Sequence, residues 1–122
     1  MKLIDSSSWI HALRKDGDPV VRSRVQQLLI EDEAAWCDIV RVELWRGVSK
    51  RKEINFLREL EKNISLLPIT TEVWDLACTL AQKCRSKGTP IPSTDIVIEA
   101  CRRVHHVELE HVDKHFEIIC RL

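Results

Sequence analysis

Nothing in the sequence comes close to the roughly eighteen consecutive apolar residues that a membrane-crossing helix requires. An acid, Asp5, stands where a secretory signal needs its apolar core, so a cytoplasmic location and no membrane partner are the expectation. Net charge is missing too: nineteen Lys and Arg offset nineteen Asp and Glu. A neutral chain has no global pull toward polyanions, so any nucleic-acid site must come from local clustering or from a bound cation. Neither GxGxxG nor a P-loop pattern occurs, which removes the nucleotide-cofactor sites built on those loops. The five cysteines include no CxxC pair, and an odd count is read most simply as reduced, partly buried thiols. Tyrosine is absent, whereas Trp9, Trp36, Trp45 and Trp74 all lie in apolar settings. They read as core or oligomer contacts in preference to a platform for stacking bases.

What remains is an ordinary globular composition, 44% hydrophobic and 31% charged over 122 residues, enough for one core and one domain spanning 1–122. Leu3-Ile4 is a short apolar run that ends in Asp5 and passes into Ser6-Ser7-Ser8, so the chain opens as strand, turn and helix. Asp18-Pro19 starts a second helix with Val21, Val25, Leu28 and Leu29 on one face, and Glu31-Asp32-Glu33 closes it as a solvated loop. Ala34 to Cys37 suits a buried strand, and Asp38 a helix cap. The helix from Ile39 to about Arg46 is expected to face inward with Ile39, Val42 and Trp45 and to stop at Gly47. Ile54, Leu57, Leu60 and Ile64 mark another helix, and Ser65 to Ile69 a strand and loop. A regular amphipathic helix then runs from Thr70 or Thr71 to Gly88. Pro90 and Pro92 force extended backbone before Ser93-Thr94-Asp95 opens the next helix. Val107-Glu108-Leu109 reads as strand, and Asp113 heads a last short helix with Phe116 and Ile119. This alternation predicts an α/β fold: a central parallel sheet of about four to five short strands, flanked by helices on both faces.

Acids recur at places that matter in such a sheet. Asp5 falls at the carboxyl end of the first strand, where open α/β folds place their ligand crevices. Glu43, four residues after Ile39, shares roughly the inward face of its helix. Asp95 either satisfies free N–H groups at a helix start or joins Asp5, and Asp113 follows the last strand. Arg41, Arg46, Lys50, Arg51 and Lys52 form a locally positive stretch, equally readable as a phosphate contact or a wet helix end. His105, His106, His111 and His115, with Cys101 and Cys120, invite a zinc reading. A helical His-x3-His pair needs an unbroken helix, however, and Asp113 starts one between His111 and His115, so surface histidines are expected.

Leu3-Ile4-Asp5-Ser6-Ser7, Val42-Glu43-Leu44-Trp45-Arg46-Gly47, Pro92-Ser93-Thr94-Asp95 with Ile98-Glu99-Ala100, and Asp113-Lys114-His115-Phe116 together resemble the PIN-domain superfamily. Within it, they resemble the small VapC-type toxin ribonucleases of VapBC toxin–antitoxin pairs. Their order, spacing and total length carry the match over the whole chain. The resemblance implies a PIN-like fold in which Asp5, Glu43, Asp95 and Asp113 hold Mg²⁺ or Mn²⁺, with Ser6 and Thr94 in supporting or nucleic-acid contacts. It implies an endoribonuclease that leaves a 5′-phosphate and a 3′-hydroxyl, a homodimer, and a VapB-like antitoxin whose C-terminal segment blocks the pocket. Arg41, Arg46, Lys50, Arg51 and Lys52 become candidate RNA contacts. The chain departs from the family pattern at His111, where Thr is common. Two other readings stay open: a PIN-type nuclease of RNA processing or decay, and a non-catalytic PIN-like binding module.

The chemistry is independent of the family. Oxygen-only sites made of several carboxylates suit hard cations, and without a cation the same carboxylates repel and raise one another's pKa values.

Overall fold

A computed structural model describes residues 1–122. Four short strands, β1 (Lys2–Ile4), β2 (Ala34–Trp36), β3 (Ser65–Leu66) and β4 (Glu108–Glu110), form one parallel sheet in the order β3-β2-β1-β4. Leu3 and Ile4 have no exposed surface, and β1 is held on both sides: Lys2 lies opposite Ala34 and also opposite Glu108. The chain moves outward from β1 through β2 to β3 and then returns to the other side of β1 as β4. That reversal makes the carboxyl ends of β1 and β4 a topological switch point, the place where such sheets leave a crevice.

Helices supply the crossovers that parallel strands need. Asp5 caps α1 (Ser6–Leu13), its side chain accepting from the Ser7 N–H, and Asp18 caps α2 (Pro19–Ile30) in the same way through Val20 and Val21. Helix α3 (Asp38–Gly47) follows β2 after a single residue, and α4 (Arg51–Glu61) buries Leu57 and Leu60. Thr70 caps α5 (Thr71–Ser86), and the chain leaves that helix through Gly88 at φ +66°, a left-handed turn that glycine makes without strain. Helix α6 (Ser93–Val104) packs against α5, α3 and α7 (Lys114–Ile119), and its residues 95–101 are all buried. No helix is long and apolar enough to cross a membrane.

The core joins both strand faces to these helices. Trp9 from α1 and Trp36 from β2 meet with ring centroids 6.1 Å apart, and both are buried. Truncating either to alanine would cost about 3–5 kcal/mol, the range for large aromatic core side chains. Trp45 and Trp74 are less enclosed than Trp9 and Trp36. Trp45 is half-buried and donates its Nε1–H to Glu61 Oε1 at 2.6 Å, and Trp74 is 48% exposed.

The inward face of α3 also differs from the one expected. Val42 is 65% exposed, while Val40 and Leu44 are buried between the half-buried Ile39 and Trp45. Helix α3 starts at Asp38, with Cys37 at the cap position, and its apolar residues lie on all sides, so spacing alone did not select the buried face. Cys37, Cys84 and Cys101 are buried free thiols, and Cys78 and Cys120 are exposed ones.

Candidate active site

Asp5 is carried to the carboxyl end of β1 by two buried residues and is itself only 3% exposed. Its Oδ2 accepts from the Ser7 N–H at 3.1 Å and from the Ser7 hydroxyl at 2.6 Å. Its Oδ1 is buried without any hydrogen-bond partner. A buried carboxylate oxygen left unpaired is expensive, and a cation at this position would offset that cost.

Asp95 is also buried, on the first turn of α6. The cap reading is not met: no side chain caps α6, whose cap position is Pro92, and the Asp95 carboxylate makes no hydrogen bond to the helix N–H groups. It lies instead with Oδ2 3.1 Å from His115 Nδ1. Asp113 caps α7, with Oδ1 accepting from the His115 N–H at 2.9 Å and standing 3.1 Å from His115 Nδ1. One ligand-capable atom from each of Asp95, Asp113 and His115 fits within a 4.8 Å span. Asp5 and Glu43 fall outside that tight group, yet their charges reach it. Glu43 is half-buried on α3 and accepts from the Ser6 hydroxyl at 3.2 Å.

Burial and like charge act on these carboxyls together. Burial pushes the Asp5 carboxyl up, Ser7 pulls it partly back, and the Asp113 charge adds to the rise. Glu43 is raised by burial first, then by the negative charges of Asp5, Asp95 and Asp113, against the opposing hydrogen bond from Ser6. Asp95 is raised by burial and by Asp5 and Asp113, with His115 opposing. Side chains from four distant parts of the chain therefore feel one another as like charges, the situation that a divalent cation relieves.

Of the softer expectations, Ser6 does touch an acid, whereas Thr94 is exposed and makes no hydrogen bond to any of the four carboxylates. Arg41 is engaged internally: Nη1 meets Asp38 at 2.6 Å, Nη2 meets Glu61 at 3.1 Å, and its guanidinium lies 5.9 Å from the Trp36 ring centroid. Arg46, Lys50, Arg51 and Lys52 are exposed and make no ion pair. Helix α7 begins after Asp113, so His111 and His115 do not share a helix. His115 is nevertheless not a simple surface histidine. It folds back from α7 onto two acids, a contact for which spacing gave no signal because Asp95 is twenty residues away. His111 is half-buried against Phe116, ring centroids 5.2 Å apart, with its Nδ1 buried and unpaired.

Glu99 had no role assigned from the sequence, and it is the least exposed acid of the chain, at 1%. Its oxygens meet Arg102 Nη2 at 2.7 Å and Arg103 Nε at 2.6 Å, so its charge is used within α6 and not in the cluster.

Residues 2–122 match the model of the PIN domain family. The chain belongs to the PIN domain family. No curated protein sequence matches it. Among solved structures, this PIN domain is similar to FitAcB from Neisseria gonorrhoeae, with a TM-score of 0.79 at 22% identity, covering 100% of this chain and 94% of that one. It is similar to VapBC2 from Rickettsia felis bound to a DNA fragment from its promoter, with a TM-score of 0.79 at 18% identity and coverage of 99% and 92%. A toxin–antitoxin complex from Klebsiella pneumoniae gives a TM-score of 0.78 at 17% identity, covering 95% and 90%. Identities this low establish a shared fold, and the four-stranded parallel sheet with seven flanking helices is that of a PIN domain.

Proposed function

We propose that this PIN domain is a divalent-metal-dependent endoribonuclease, folded as one domain over residues 1–122, and the toxin half of a VapBC-like pair. The observation that carries the reading is the unpaired, buried Oδ1 of Asp5 within charge range of the other carboxylates. Asp5, Glu43, Asp95 and Asp113 would hold Mg²⁺ or Mn²⁺, an all-oxygen donor set suited to hard cations, with His115 beside Asp95 and Asp113. The chemistry such an ion would supply there is a lowered pKa for an attacking water and an offset to the charge on the phosphate oxygens. The protein's own contribution is placement. Ser6 fixes Glu43, the cap geometry fixes Asp113, and burial on β1 and α6 puts Asp5 and Asp95 in a low-dielectric setting that would strengthen their hold on a cation.

Arg46, Lys50, Arg51 and Lys52, exposed and outside any ion pair, would meet RNA phosphates. Arg41, already paired with Asp38 and Glu61, contributes less directly. A VapB-like antitoxin and a second copy of the chain are the protein partners this reading adds, supported by the toxin–antitoxin complexes with which the fold is shared.

The test is cleavage of total RNA by the purified chain with Mg²⁺ or Mn²⁺, against EDTA and the Asp5→Asn variant, with the product ends mapped. Metal-dependent products bearing 5′-phosphates, absent in the variant, support the reading. No cleavage with either ion, together with no effect on growth when the chain is expressed, would replace it with a binding module.

A further inference from the structure

We propose that Ser7 is a positioning residue for the carboxylate cluster, one hydroxyl that locks the Asp5 carboxylate and at the same time steers the segment delivering Asp113. The proposal rests on the reading of the cluster as a divalent-cation centre and adds to it a residue outside the acids and their supporting Ser6.

The β1–β4 ladder ends with Ile4 opposite Glu110, and the Asp5 N–H then donates to the Glu110 carbonyl at 2.9 Å. Past that point the two backbones part, one entering α1 and the other running through residues 111–113 to α7. The Ser7 hydroxyl spans the gap. Its Oγ accepts from the Val112 N–H at 3.2 Å and donates to Asp5 Oδ2 at 2.6 Å, joining positions 105 residues apart in sequence. Val112 is the residue immediately before Asp113.

The direction of this relay is fixed by chemistry. A hydroxyl has one hydrogen and two lone pairs. A backbone amide can only donate and an ionised carboxylate can only accept, so the Ser7 hydroxyl hydrogen must point at Asp5 Oδ2 and a lone pair must face the Val112 N–H. Two consequences follow for the cluster. Asp5 Oδ2 is committed to Ser7 through both its N–H and its hydroxyl, which leaves Oδ1 as the oxygen available to a cation. Asp113, one residue beyond the anchored amide, is set in register with Asp5 by a contact that neither acid makes itself.

Removing the hydroxyl breaks both links at once. Ser7→Thr retains Oγ and both links. The experiment uses the full chain, freed of metal and titrated with MnCl₂, following free Mn²⁺ by electron paramagnetic resonance and the exchange rate of the Val112 amide by hydrogen exchange. Ser7→Ala is expected to raise the Mn²⁺ dissociation constant by about 10- to 100-fold, the range for residues that orient metal ligands. It is also expected to speed exchange at Val112, with Ser7→Thr close to wild type in both. Should Ser7→Ala lose its fold by circular dichroism, Ser7→Cys replaces it, since a thiol is a weak donor and acceptor and must weaken both readouts. Wild-type Mn²⁺ affinity in the substituted chain, or unchanged Val112 exchange, overturns the positioning role. If wild type and Asp5→Asn bind Mn²⁺ equally poorly, the cation-centre reading fails and the role of Ser7 toward it fails with it. Retained wild-type binding with no Ser7→Ala effect overturns Ser7 alone.

Discussion

Ser6 donates its hydroxyl to Glu43 Oε1 at 3.2 Å, tying the first turn of α1 to the middle of α3 across 37 residues of sequence. Glu43 is the least buried of the three acids whose pKa values are raised, and Ser6 is the hydrogen-bonding side chain that opposes its rise. Ser6→Ala should therefore leave the melting temperature nearly unchanged and lower the metal-dependent cleavage rate by roughly 10-fold or more, as for other groups that orient ligands. Single-turnover cleavage at saturating Mn²⁺ beside thermal unfolding checks this. An unaffected rate would mean that Glu43 needs no help to hold its place.

Asp5→Asn and Asp95→Asn should abolish cleavage, and in metal-free protein Asp5→Asn should raise stability. The Asp5 carboxyl titrates above the ordinary aspartate value of 3.8 in the folded chain, mainly because of burial. A raised folded-state pKa means that the stability associated with protonated Asp5 is present below the unfolded value and is lost as pH rises through the folded one. The melting-temperature advantage of Asp5→Asn over wild type in EDTA should accordingly grow as pH climbs above 3.8 and level off once the folded carboxyl is ionised. Added Mn²⁺ should reverse the order at neutral pH. Asparagine can still cap α1, so the comparison isolates charge from cap.

Asp113→Asn keeps the cap on α7 for the same reason, and a loss of Mn²⁺ binding there would report the charge of Asp113 and not the integrity of the helix. Isothermal titration of wild type and variant with MnCl₂ makes the comparison. Equal affinities would place Asp113 outside the binding set.

Glu99→Gln should destabilise the fold without touching the metal. Arg102 and Arg103 each retain about a quarter of their side-chain exposure, 26% and 24%, so water recovers part of what the carboxylate supplied. A loss of about 1–3 kcal/mol is expected, the range for hydrogen bonds to charged groups and for partly solvated ion pairs. Urea unfolding measures it. A change in Mn²⁺ affinity would show that Glu99 is coupled to the cluster after all.

Charge reversal at Arg46, Arg51 and Lys52 should weaken RNA binding and flatten its salt dependence while sparing stability, because none of these side chains has an ion-pair partner to lose. Arg41→Ala should do the opposite. It leaves Asp38 and Glu61 without their shared guanidinium and uncovers Trp36, so unfolding should show the larger effect. Binding titrations of a fluorescent RNA at several salt concentrations separate the two classes.

The order of strands and helices was legible in the sequence because each element carries its own signal: Leu3-Ile4 before Asp5, Asp18-Pro19, the prolines at 90 and 92, and the regular apolar spacing from Val73 to Cys84. The face of α3 was not, since Ile39, Val40, Val42, Leu44 and Trp45 lie on all sides of the helix, and only packing chose Val40 and Leu44 over Val42 for the core. Asp5, Glu43, Asp95 and Asp113 stood out as acids in places where acids are costly, a property of local sequence and of family likeness. That Asp95 leaves its own helix uncapped, that His115 turns back onto it, and that Ser7 reaches Val112 were settled only when β4 returned beside β1. These contacts join residues far apart in the chain, and local propensity carries no information about which distant groups the sheet order will bring within hydrogen-bond distance.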